Sequence, residues 1–217
     1  GNSGGRGVVS DVYGNTYVSG FYSGTATVGT NSLISLGGQD IFLARYDSAG
    51  NPVWARSAGS TLNDLGWAVA TDPAGNVVLV GSIRANATFG GATVTNAGLF
   101  DPFVAKYDAA GNLLWVRTAS GTADERGLGV TTDAAGNIYT CGFFNGSLNF
   151  SGTVITGAGS YLAKYDPAGA VVWVKSVTAT QCCNSGRALA FDPAGSIYMA
   201  GILGGTATFG TTVLTTF

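Results

Sequence analysis

Along this chain short hydrophobic runs alternate with polar punctuation, and both recur at regular intervals. Runs rich in Val, Ile, Tyr, Phe and Trp are bounded by Gly, Pro, Asn and Asp, the pattern of short strands between tight turns. Residues two apart match in character: Phe42, Ala44 and Tyr46, then Phe103, Ala105 and Tyr107, then Tyr161, Ala163 and Tyr165. A period of two places each trio on one face of a strand, and helical periodicity is lacking throughout. In the second copy the pattern predicts strand A over residues 66–72, B over 76–81, C over 101–108 and D over 113–118.

The punctuation is Asp-x-x-Gly-Asn or a close relative, starting at Asp11, Asp47, Asp72, Asp108, Asp133, Asp166 and Asp192. An Asp that opens a turn can accept backbone N–H groups a few residues on, and Gly supplies the positive φ that closes a hairpin. Ala170 and Ser196 stand in place of the Asn, so the Gly is the fixed element. The anchors Asp11, Asp72, Asp133 and Asp192 lie 61, 61 and 59 residues apart. Tandem four-stranded antiparallel units predict an all-β fold of β-propeller blades, a β-solenoid being the weaker option. Blade 1 is read over residues 5–58, blade 2 over 66–119 and blade 3 over 127–177. Residues 186–217 hold only strands A and B of a partial fourth blade and the insertion after them. The chain is therefore expected to be part of a longer propeller.

The full repeat motif is read at residues 11–20, 24–29 and 40–51 with Trp54, and again in the later copies. It resembles the bacterial β-propeller repeats known as SBBP repeats, over essentially the whole chain. Ser160 departs from the pattern, replacing the Asp that opens strand C in the earlier copies. The resemblance implies a secreted or cell-surface bacterial protein and carries over no catalytic residues.

Composition narrows the chemistry. Charged residues are 10% of the chain, with 10 basic against 12 acidic and a net charge of −2. Hydrophobic content of 46% argues for a packed fold despite so few charges. No basic footprint for nucleic acid is present, and no apolar run is long enough for a membrane helix. With no His, triads built on it are excluded. Seven carboxylates open the repeated turns, leaving Asp40, Asp64, Asp101, Asp124 and Glu125. Asp40 and Asp101 share a repeat position, which favours a structural role over catalysis. No metal or cofactor is called for. Trp54, Trp115 and Trp173 also share one position, each two residues before Arg56, Arg117 or Lys175. They read as blade-packing residues covered by a cation. Trp67 is not repeated and has no such assignment.

Topology suggests where a ligand would sit. The seven Asp-x-x-Gly turns crowd one rim, so the variable B–C and D–A connections lie on the other. On that rim Asn63, Asp64, Asp124, Glu125 and Arg126 supply most of the non-repeated polar chemistry. Cys141 ends strand B of blade 3 there, and Cys182 and Cys183 follow in the next D–A connection. A disulfide from Cys141 to Cys182 or Cys183 is expected if the chain is secreted, against three reduced thiols. The function expected is a non-enzymatic extracellular module for structure, adhesion or display on a bacterial surface. The alternative is a lectin-like or protein-binding propeller with a ligand on the variable rim, and third a hydrolase using paired carboxylates. Expected partners are other blades or domains of the same polypeptide or a neighbouring surface protein, with a glycan as a further candidate. Neither nucleic acid nor membrane insertion is expected.

Overall fold

The computed structural model describes residues 1–180, 184–192, 194–209 and 211–216. Among them every regular element is a strand. Blade 1 has strands A (Ser3–Ser10), B (Thr16–Tyr22), C (Asp40–Tyr46) and D (Pro52–Gly59), neighbouring and antiparallel in that order. Blade 2 repeats the meander with Leu65–Thr71, Val77–Ile83, Asp101–Tyr107 and Leu113–Thr118. Blade 3 does so with Arg126–Thr132, Ile138–Phe150, Thr153–Tyr165 and Val171–Thr178. Strands A (Ser185–Phe191) and B (Ile197–Ile202) of blade 4 follow.

The turns form for the reason their sequence gives. At the A–B turn of blade 2, the Asp72 carboxylate accepts the Ala74 and Asn76 N–H groups at 2.9 Å each, and the Asn76 side-chain amide at 2.9 Å. Gly75 sits at φ +81°, where a Cβ is strained. The equivalent glycine of each of the other six turns also has positive φ.

Blades stack face on face. Strand B of blade 2 is buried on both sides: Val77 and Leu79 join the core shared with blade 1, and Val78 and Val80 the core shared with blade 3. The trio Phe103, Ala105 and Tyr107 faces the blade 1 side. Each such large apolar side chain contributes about 1.5–3 kcal/mol through burial. Trp54 of blade 1, 5% exposed, donates its indole N–H to Ala109 O at 3.0 Å, in the C–D turn of blade 2. Arg56 lies over its ring at 5.3 Å and donates to Gly111 O at 2.8 Å in that same turn. Trp115 repeats the contact to Pro167 O at 3.2 Å in blade 3. Turn-rim cations thus reach the next blade, as Arg45 does to Ala109 O at 2.7 Å and Lys106 to Pro167 O at 3.2 Å, while Lys106 also pairs with Asp72 of its own blade at 2.8 Å.

One pairing was not legible locally. The B–C insertion of blade 2 forms a hairpin of Ala87–Phe89 and Ala92–Val94 that pairs with strand D of blade 1, Ala58 to Phe89 and Gly59 to Thr88. In blade 3 strands B and C simply run on through the insertion, and Leu148 and Asn149 pair with Ser120–Gly121 beyond strand D of blade 2. An Ala179–Ala207 bridge repeats the link into blade 4. The insertions of blades 2, 3 and 4 therefore tie each of these blades to the one before it.

Candidate binding rim

The rim opposite the Asp turns is shaped by a defect repeated in every blade. Strand A pairs with strand B through a register shift between Gly5 and Gly7, Gly66 and Ala68, Gly127 and Gly129, and Gly186 and Ala188. One extra residue bulges out at each: Arg6, Trp67, Leu128 and Arg187. Opposite the bulge stands a strand B glycine, Gly20, Gly81, Gly142 or Gly201. A Cβ there would run into a strand A or adjoining carbonyl oxygen, that of Gly4, Leu65, Arg126 or Ser185. The glycine admits the bulge, and the bulge re-aims one side chain per blade. This gives Trp67 a place: it is the bulge residue of blade 2.

Around these positions guanidinium groups lie on aromatic rings. Arg6 stacks 3.6 Å from the Trp67 ring centroid and 5.0 Å from that of Phe21. Phe100 carries Arg126 at 4.1 Å and Arg84 at 5.4 Å, and Phe143 is 6.0 Å from Arg126. Arg126 also holds Asp124 through two hydrogen bonds, 2.7 and 3.0 Å. Beside this arc is a cavity of ≈ 330 Å³ between blades 3 and 4, whose lining includes Asp124, Phe143, Phe144, Asn145, Arg187 and Ile202.

The five polar residues singled out from sequence divide into two groups. Asp124 and Arg126 are half-buried and meet as the ion pair on the rim. Asn63 is half-buried and accepts the Gln39 N–H at 2.9 Å. Asp64 and Glu125 are not presented to solvent: both are fully buried, as are Asp40 and Asp101. They occupy matching places, Asp40 with Asp64 and Asp101 with Glu125, where strand C begins against the D–A connection. Their oxygens hold loop backbone. Asp64 accepts Ser60 and Arg84 N–H at 2.6 and 2.8 Å, and Asp101 accepts Ala97 and Gly121 N–H at 2.7 and 3.0 Å. Asp40 accepts Leu36 N–H at 2.9 Å and Glu125 accepts Ala123 N–H at 3.1 Å. Burial lifts Asp40 to about 6 and Glu125 to about 7, with Asp64 adding to the first and Asp101 and Asp124 to the second. In the third copy the same two places hold Ser160 and Asn184, and the acids are gone.

Cys141 is buried and has no bridge among the described residues, and burial pushes its thiol up to about 12. Cys182 and Cys183, its expected partners, lie outside the described residues. Among the described residues no cluster of three or more His, Cys, Asp or Glu could hold a metal ion.

Comparison with known proteins supports the architecture. No protein-family model matches the chain. It is similar to the uncharacterized WD repeat-containing protein L264 of Acanthamoeba polyphaga mimivirus, 28% identical over 223 residues that cover 83% of this chain and 16% of that protein. It is also similar to the regulatory protein FlaEY of Caulobacter vibrioides, 30% identical over 110 residues covering 49% of this chain and 12% of that protein. The chain thus spans only a small part of either relative's length. With its four-stranded meanders stacked face on face, the likeness to a WD repeat-containing protein makes this a β-propeller-type repeat chain.

Proposed function

We propose that the chain is a non-enzymatic protein-binding section of a β-propeller, engaging its partner through the bulge-bearing rim. The observation that carries this reading is the contrast between the two ends of the blades. Turn-rim groups repeat and are used up within the turns and between blades, whereas one repeat position on the other side varies, holding exposed Arg6 and Arg187, half-buried Trp67 and buried Leu128. Variable chemistry on a fixed scaffold is how repeat folds distinguish partners. The similarity to a WD repeat-containing protein points the same way. We further propose the finer reading given by the repeat motif, an SBBP-type module displayed outside a bacterial cell for adhesion or structural spacing.

A photo-crosslinking residue placed at Asn145 or Arg84, and at Ser48 on the turn rim as control, tests the binding reading in cells of the source organism. Crosslinked protein is expected from the first two sites and not from Ser48. Equal crosslinking from both rims, or none, would refute it. Protease treatment of whole cells tests the location: digestion of the chain without lysis is expected, and full protection would reject surface display.

A further inference from the structure

We propose that the rim binds an acidic polypeptide segment, one carrying Asp or Glu side chains near an apolar anchor residue. This deepens the protein-binding reading above and rests on it.

The first ground is charge. Of the chain's 12 acids, seven open turns on the far rim, and Asp40, Asp64, Asp101 and Glu125 are fully buried. Asp124 alone remains at the binding rim, and Arg126 holds it. Arg6, Arg84 and Arg187 are exposed there. Among the described residues the Arg6 and Arg84 guanidinium groups have no hydrogen-bond acceptor, in contrast to Arg45 and Arg56 on the turn rim. Arg6 and Arg126 are close enough for the charge of Arg126, after burial, to lower the Arg6 pKa. Two cations that feel each other's charge, with one carboxylate bound to Arg126 and none to Arg6, favour an incoming anion.

The second ground is preorganisation. A guanidinium held over a ring, as Arg6 is 3.6 Å from the Trp67 centroid, does not use its N–H groups there, and the planar fork matches a carboxylate in two parallel hydrogen bonds. Trp67 adds an indole N–H that is buried and lacks an acceptor among the described residues.

The third ground selects a polypeptide. The Asp124 carboxylate beside Arg126, in the lining of the cavity, opposes a uniform polyanion, while discrete carboxylates can avoid it. The cavity beside Phe143 has Phe144 and Ile202 in its lining and Arg187 at hand, which suits an apolar side chain flanked by acids.

Fluorescence anisotropy with three labelled peptides of equal length tests this: one Asp/Glu-rich around a central Leu, one with Lys replacing the acids, and one with Ser replacing them. The acidic peptide is expected to bind at least about tenfold tighter than either other. Arg6→Gln and Arg84→Gln should each weaken it about fivefold or more, as loss of a charge-assisted hydrogen bond does, and Trp67→Phe should weaken it less. Arg45→Gln on the turn rim should change nothing. Both rim arginines are exposed, so circular dichroism of these variants should match the parent. Equal binding of the Ser peptide, or indifference to Arg6→Gln and Arg84→Gln, would overturn the acidic preference. So would heparin binding the same rim more tightly than the acidic peptide. In either case rim-specific crosslinking would still uphold the broader binding reading, so the two can fail separately.

Discussion

Replacing Glu125 by Gln removes a buried charge at almost constant shape, and the effect on stability is expected to depend on pH. Glu125 is fully buried; its Oε1 accepts the Ala123 N–H, which Gln can also do, and its Oε2 has no partner among the described residues. Burial, aided by Asp101 and Asp124, lifts the carboxyl from an ordinary 4.5 to about 7. A folded-state value above the unfolded one means that the folded chain holds the proton more tightly. The resulting stability is complete below about pH 4.5 and is lost as pH rises through about 7. At about 1.4 kcal/mol per pKa unit, the full shift amounts to about 3–4 kcal/mol. Asp40, lifted by burial to about 6, adds a loss of the same sign at lower pH. Strong acid works the other way. Asp47 and Asp108 are held below their usual value, first by the Asn51 and Asn112 amides. Their stabilisation is present above the unfolded pKa of about 4 and disappears as pH falls through the folded one. Stability should therefore peak near pH 5. In urea titrations across this range, the parent is expected to lose about 3–4 kcal/mol between pH 5 and pH 8, most of it from Glu125 and the rest from Asp40. Glu125→Gln should match it near pH 5 and exceed it at pH 8. Equal midpoints for the parent at the two pH values, or a Gln variant less stable than the parent at pH 8, would refute the reasoning.

Gly81→Ala places a methyl against Leu65 O and 2.6 Å from the Phe103 ring, opposite the Trp67 bulge; a loss of about 1–3 kcal/mol is expected from denaturant midpoints, and none would mean that the bulge does not depend on that glycine. Trp54→Ala empties a site between blades 1 and 2 and should cost about 3–5 kcal/mol, with faster hydrogen exchange in the Asp108 turn it binds. Asp108→Ala removes an acceptor of the Ala110 and Asn112 N–H groups and the Asn112 amide. It should lower stability by about 1–2 kcal/mol in the same assay, while leaving acidic-peptide binding at the other rim unchanged.

The amino-acid sequence by itself determined the repeat, the strands and the turn rim, because the forces that set them are local. An Asp and a Gly, with an Asn in five of the seven turns, close each hairpin through their own hydrogen bonds and one positive φ, and a two-residue period marks the faces of strand C whatever lies beyond. Conserved spacing across copies did the rest, and the Trp–cation pairs could be assigned to blade packing for the same reason. Tertiary structure alone decided the character of the other rim. Asp64 and Glu125 look like loop acids, yet N–H groups from their own and neighbouring loops draw them inside; Glu125 takes the Ala123 N–H, and Asp64 takes that of Arg84, 20 residues away. Arg6 and Trp67 are ordinary strand positions until the bulges turn them toward each other across two blades 61 residues apart in the repeat. The tie between Ala58 and Phe89 likewise joins neighbouring copies. Such contacts depend on how one blade docks on the next, and packing between distant segments leaves no signal in the short-range pattern of a single copy.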